Sequence, residues 1–151
     1  MSAYLITLTI HSWLRWVVLI LAIYLVIRSL QGWFGKQSYT SGDNKLAVFF
    51  TIGMHTQLLL GLILYFALSP AVQQAFKDFG AAMKDANIRV WAVEHITMMV
   101  LAVILAQVGR SMSKKTTDST KKFRLLAIFG GLALVLMLAG IPWSKIPLFR
   151  M

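Results

Sequence analysis

The sequence predicts an all-α integral membrane protein, a four-helix up-down bundle in one domain spanning residues 1–151. Three observations predict it. Apolar residues make up 58% of the chain, well above the roughly 45–50% of an ordinary soluble domain. They gather into four long runs, each near or above the ~20 residues needed to cross a hydrocarbon core. Most charged residues fall in the links between those runs.

The first span is expected from about Tyr4 to Arg28. Met1-Ser2-Ala3-Tyr4 offers neither a positive n-region nor a small-residue cleavage site, so this run reads as a retained helix and not a signal peptide. Arg28 to Asn44 reads as a polar link because it contains Gly32, Gly35 and Gly42, with Ser41 or Asp43 as the N-cap of the next helix. The second span is expected over Lys45–Leu68. It stops at Ser69-Pro70, where the proline ring cannot continue a helix. The third is expected over Arg89–Arg110, and the fourth over Phe123–Ile141, ending at Pro142-Trp143. Between the second and third, Val72, Ala75, Phe76, Phe79, Ala82 and Met83 recur at helical spacing among charged residues. That pattern predicts a short amphipathic helix on the membrane surface over Ala71–Ala86.

The net charge is +10. It lies in links beside apolar helices, so the positive-inside rule and anionic lipid heads account for it without nucleic acid. The first and third links hold Arg28, Lys36, Lys45, Arg110, Lys114, Lys115, Lys121, Lys122 and Arg124. In the second link, Lys77, Lys84 and Arg89 are offset by Asp78 and Asp85. This asymmetry predicts basic loops in the cytoplasm and both termini outside, although Lys145 and Arg150 in the tail oppose it.

With no cysteine in the chain, disulfides, iron–sulfur clusters, thiolate-held zinc and covalent c-type haem are excluded. Phosphate loops, nucleophile motifs, H-E-x-x-H and paired carboxylates are also missing, so an electron-transfer or binding role is favoured over stand-alone catalysis.

Ionisable side chains inside the spans carry the functional signal. The three histidines, His11, His55 and His95, sit one in each of the first three spans, accompanied by Arg15 and Glu94. Such groups are costly in a bilayer and mark functional sites. At about 1.5 Å per residue, His11 lies about 12 Å and His95 about 9 Å below the outer ends of their helices. His55 lies about 21 Å down, near the midplane, and Arg15 about 18 Å, one turn below His11. His11 and His95 are thus expected to ligate one centre from facing helices, with His55 and Arg15 beneath it. A bis-histidine haem b fits this pattern, and Arg15 is expected to meet a propionate, a quinone oxygen or Glu94. Three neutral imidazoles also suit copper or zinc, with Met54, Met98 and Met99 nearby as soft sulfur or as packing. Trp13 and Trp16 lie deep enough to line a site. The stripes Gln57/Gly61/Tyr65 and Ala102/Ala106/Gly109 read as packing faces, and the fourth span reads as packing only.

Several stretches resemble a group of small bacterial four-helix membrane proteins labelled cytochrome b or cytochrome B-like. They are HSWLRW at His11–Trp16, DNKLAVF at Asp43–Phe49, HTQLLLGLILYF at His55–Phe66, Arg89 through Glu94-His95 to Met98-Met99, and IPW with the terminal PLFR. The resemblance implies that His11, His55, His95, Arg15 and Glu94 form a shared polar set. It also implies one haem b, with electron transfer in a respiratory or quinone-linked chain, alone or as a small subunit of a larger complex. Two bis-histidine haems would need four histidines, and the fourth helix has none. A cofactor-free accessory or assembly subunit and a three-histidine copper or zinc site remain as rivals.

Overall fold

The computed structural model describes residues 2–147, so Arg150 and most of the PLFR match lie outside the described residues. Among those described, all regular structure is helical. Four helices are long and apolar enough to cross a membrane: Ala3–Phe34, Ser41–Leu68, Ala86–Lys114 and Ser119–Gly140. We label the regular helices α1 (Ala3–Phe34), α2 (Ser41–Ile63), α3 (Pro70–Lys77), α4 (Phe79–Lys84), α5 (Ala86–Arg89), α6 (His95–Lys114) and α7 (Ser119–Gly140).

The four spans pack in a closed ring, α1 on α2, α2 on α6, α6 on α7 and α7 back on α1. Fully buried Ala22, Ala102 and Ala133 help to form the shared core and let the backbones approach closely. Large apolar residues face outward instead, including Ile20 (65% exposed) and Val135 (62%). Apolar surface on this scale is unfavourable in water and natural against lipid. The chain is a multi-pass membrane protein.

Several boundaries differ from those expected, each for a local reason. α1 runs on past Arg28 to Phe34, because Gly32 faces the Phe123 ring within the bundle: a Cβ there would collide with Phe123 Cε2. A glycine that reads as linker is therefore a helix-contact residue. The true link is short and turns at Lys36 (φ 48). The N-cap of α2 is Thr40, not Ser41 or Asp43, and Asp43 completes a reciprocal capping box from the third helical position. α7 begins at Ser119, capped by the Asp118 side chain.

The amphipathic segment forms two short helices instead of one. The chain breaks at Asp78 (φ -147, ψ 88), whose side chain accepts from Ala81 N–H at 2.9 Å to start α4. Val72, Ala75 and Ala82 are buried, and Phe76 and Phe79 are about half exposed. This segment joins the ends of α2 and α6, and both ends are π-helical turns, Leu64–Leu68 and Val90–Glu94. Single π turns inside longer helices recur at functional sites. Tyr65 Oη ties the two together by donating to the Ala92 carbonyl at 2.8 Å.

Candidate functional site

Between the four spans, at the end covered by α3–α5 and the segment after α7, lies a cavity of about 320 Å³. Ligand sites commonly fall at roughly 300–1,000 Å³ and are mostly apolar with a few polar groups. Its wall includes His11, Arg15, Gln57, Tyr65, Trp91 and His95, with aliphatic and methionine side chains filling the rest.

α1 supplies His11 and, one turn on, Arg15, because residues four apart share a helix face. His11 is held from two sides. Gln57 Nε2 donates to the His11 carbonyl at 2.9 Å, and Gly61 leaves room for the ring, since a Cβ there would sit 3.4 Å from His11 Cε1. The guanidinium carbon of Arg15 lies 5.3 Å from the Trp16 ring centre.

His95 enters from the first residue of α6, directly after the π turn. Its Nδ1 donates to the Gly140 carbonyl at 2.8 Å. In the neutral ring this fixes the proton on Nδ1 and leaves the lone pair on Nε2, the arrangement typical of a metal-binding histidine. The Trp91 ring packs against it at 6.0 Å. Gly140 permits this approach, because a Cβ would collide with Met98 and Met99 at 2.6–2.7 Å.

The His11 and His95 rings meet edge to face, with centres 6.5 Å apart and planes 80° apart. A metal ion between two opposed imidazole nitrogens, each about 2.0–2.1 Å away, sets ring centres about 6 Å apart. That spacing of ring centres is close to what a centre held between α1 and α6 would need. Two buried atoms on the wall, His11 Nδ1 and Gln57 Oε1, have no hydrogen-bond partner among the described residues. Unsatisfied polar atoms in a natural interior call for a ligand or water.

Of the predicted set, the structure brings together His11, His95 and Arg15. His55 does not join them. It is exposed on the outer face of α2, with Nδ1 on its own helix at Thr51 O, 2.8 Å away. No group of three or more His, Cys, Asp or Glu among the described residues is placed to hold a metal ion. The three-histidine copper or zinc arrangement thus has no counterpart among the described residues, because a rotation of α2 by a fraction of a turn is enough to point its imidazole outward. Glu94 is exposed and pairs with Arg89 at 2.8 Å, in place of the expected pairing with Arg15. Trp13 faces outward, and Trp16 packs on Trp143 at 6.0 Å; neither lines the cavity. Met54 and Met99 do line it.

The sequence reading missed several wall residues. Gln57, Gly61 and Tyr65 read as a packing stripe and instead form the α2 wall. The available signal was chemical: a stripe serving only to pack has little use for an amide and a phenol at membrane depth. The Gly140 carbonyl had no signal, since every residue carries one. The fourth span also supplies Met137 to the wall, followed by Ile141.

Fold and site together define a four-span helical membrane protein with a paired-histidine cavity near one end. Comparisons with protein-family models, curated proteins and solved structures gave no match.

Proposed function

We propose that the chain is a b-type cytochrome that holds one haem between His11 and His95 and passes electrons in a respiratory or quinone-linked chain, alone or as a small subunit of a larger complex. The observation that carries this reading is the imidazole pair, 6.5 Å apart, in an apolar cavity between two spans. The Gly140 carbonyl strengthens it by orienting His95 and raising its basicity as a ligand. When bound, haem supplies a one-electron iron centre whose potential is set by ligands, charge and burial.

The chain's own residues do the rest. His11 and His95 would hold the haem iron. Arg15 offers a guanidinium to a propionate or a quinone oxygen. The Tyr65 bridge between the π turns keeps α2 and α6 at fixed separation around the cavity. Aliphatic walls exclude water. The same reading places the chain in the bacterial inner membrane with its basic end in the cytoplasm. Lys36, Lys45, Arg110, Lys114, Lys115, Lys121 and Lys122 cluster at one end of the bundle, while basic and acidic residues mix at the other.

The test is a reduced-minus-oxidised spectrum with a pyridine haemochrome assay on protein purified in detergent after expression with ample haem. A Soret band and a sharp alpha band at one haem per chain are expected, both lost in His11→Ala and in His95→Ala and retained in His55→Ala. A colourless, folded protein that copurifies with a large membrane complex would overturn the reading in favour of an accessory subunit.

A further inference from the structure

His55 lies near the centre of the second span, about 20 Å along the helix from either end. It is exposed on the outer surface of the bundle. Water and lipid headgroups do not reach that depth, and a polar atom left unpaired in hydrocarbon is unfavourable. Its Nδ1–H is committed to the Thr51 carbonyl at 2.8 Å, so in the neutral ring Nε2 carries the lone pair and only accepts. The neighbouring Thr56, also exposed, donates its hydroxyl proton to the Ile52 carbonyl at 2.9 Å and keeps only lone pairs to offer outward. Ile52 (57% exposed) and Leu59 (59%) frame the pair. The result is a small polar patch at the midplane that accepts hydrogen bonds, has no spare donor, and is bordered by apolar side chains.

That chemistry selects its occupant. Acyl chains have no donor. A second copy with this patch on the two-fold axis would set acceptor against acceptor. A quinone presents carbonyls, which also only accept. We infer that His55 and Thr56 form a lateral site for a lipid-dissolved molecule bearing a phenolic or hydroquinone hydroxyl. The hydroxyl donates to His55 Nε2, and the apolar body rests on Ile52 and Leu59. The site is separate from the His11–His95 cavity and does not depend on what that cavity holds. Met54, the residue before His55, lines the cavity, so a hydroquinone bound here is separated from it by a single helix.

The experiment uses the full chain in quinone-free lipid nanodiscs with nitrogen-15 histidine, the His55 signal being assigned by its loss in His55→Phe. Titration with a short-tailed hydroquinone under reducing conditions is expected to move the His55 Nε2 resonance saturably toward its hydrogen-bonded position. The oxidised quinone at the same concentration is expected to leave it in place. His55→Phe is expected to weaken hydroquinone binding about tenfold, and Thr56→Val less. His11→Phe should leave the response intact, which separates this site from the cavity. The inference is overturned by no movement at saturating hydroquinone or by equal movement with the quinone. An Nε2 already hydrogen-bonded in lipid alone would also overturn it, assigning the patch to a protein partner.

Discussion

Two polar side chains at opposite ends of the bundle, the Asp43 carboxylate and the His11 imidazole, are treated in opposite ways. At the end formed by the α1–α2 and α6–α7 links, the buried carboxylate of Asp43 is saturated. It accepts from Arg28 at 2.7 and 3.1 Å, from Thr40 N–H at 2.8 Å and from Thr40 Oγ1 at 2.8 Å. Arg28 also lies over the Phe123 ring, which is itself 1% exposed. At the cavity end, His11 Nδ1 and Gln57 Oε1 are buried without partners among the described residues, beside open space. The Asp43 carboxylate closes a structure, whereas His11 and Gln57 keep polar atoms beside open space.

That contrast is open to direct attack. The largest effect is expected from Asp43→Leu, which strands Arg28 and removes the capping box. Breaking a buried ion pair costs about 3–5 kcal/mol, to be read from unfolding in detergent by denaturant titration. Next, Gly32→Ala forces a methyl into the Phe123 ring and should cost about 1–3 kcal/mol by overpacking. Phe123→Leu in the same chain should recover part of that loss.

Gly61→Ala at the cavity end is the matched control. Its Cβ would make an ordinary 3.4 Å contact with His11, so stability should hold or rise by up to about 1 kcal/mol, as alanine favours a helix interior over glycine, while ligand occupancy of the cavity falls. If Gly61→Ala destabilises as much as Gly32→Ala, the two ends are equally packed and the contrast fails. Arg15→Gln is expected to leave folding intact and, on the haem reading, to shift the midpoint potential to more negative values, because a lost cation no longer favours the reduced iron.

The smallest effect concerns Tyr39, in the link before α2. Burial raises its phenol pKa above the usual 10.0, against a lowering influence from Arg110. The folded protein therefore holds that proton more tightly than the unfolded chain. The associated stability is fully present below pH 10 and is lost as pH rises through the folded-state value. Thermal unfolding of the parent and of Tyr39→Phe should diverge only in that alkaline range.

How much of this was legible beforehand depended on the kind of interaction. The four spans, the stop at Ser69-Pro70 and the pairing of His11 with His95 followed from apolar run length, from proline's missing N–H and from equal depth along rigid helices. Those are properties of a segment and of the bilayer's fixed thickness. Depth along a helix can be counted in residues, but facing around it cannot be counted reliably. A shift of one residue rotates a side chain by about 100°, and the π turn before His95 inserts such a shift. Nothing in its local sequence announces that turn.

His55 shows the same limit, since its position along α2 can be counted in residues but its outward direction cannot. Gly32 and Gly140 had their roles set by a ring and a pair of methionines from distant parts of the chain. The sequence by itself determined that this chain spans a membrane four times and carries imidazoles at matching depth, because hydrophobicity and helical rise act locally. Only the tertiary structure decided which imidazoles meet, which carbonyl orients them and which glycines are contacts, because those depend on helix rotation and on partners far away in sequence.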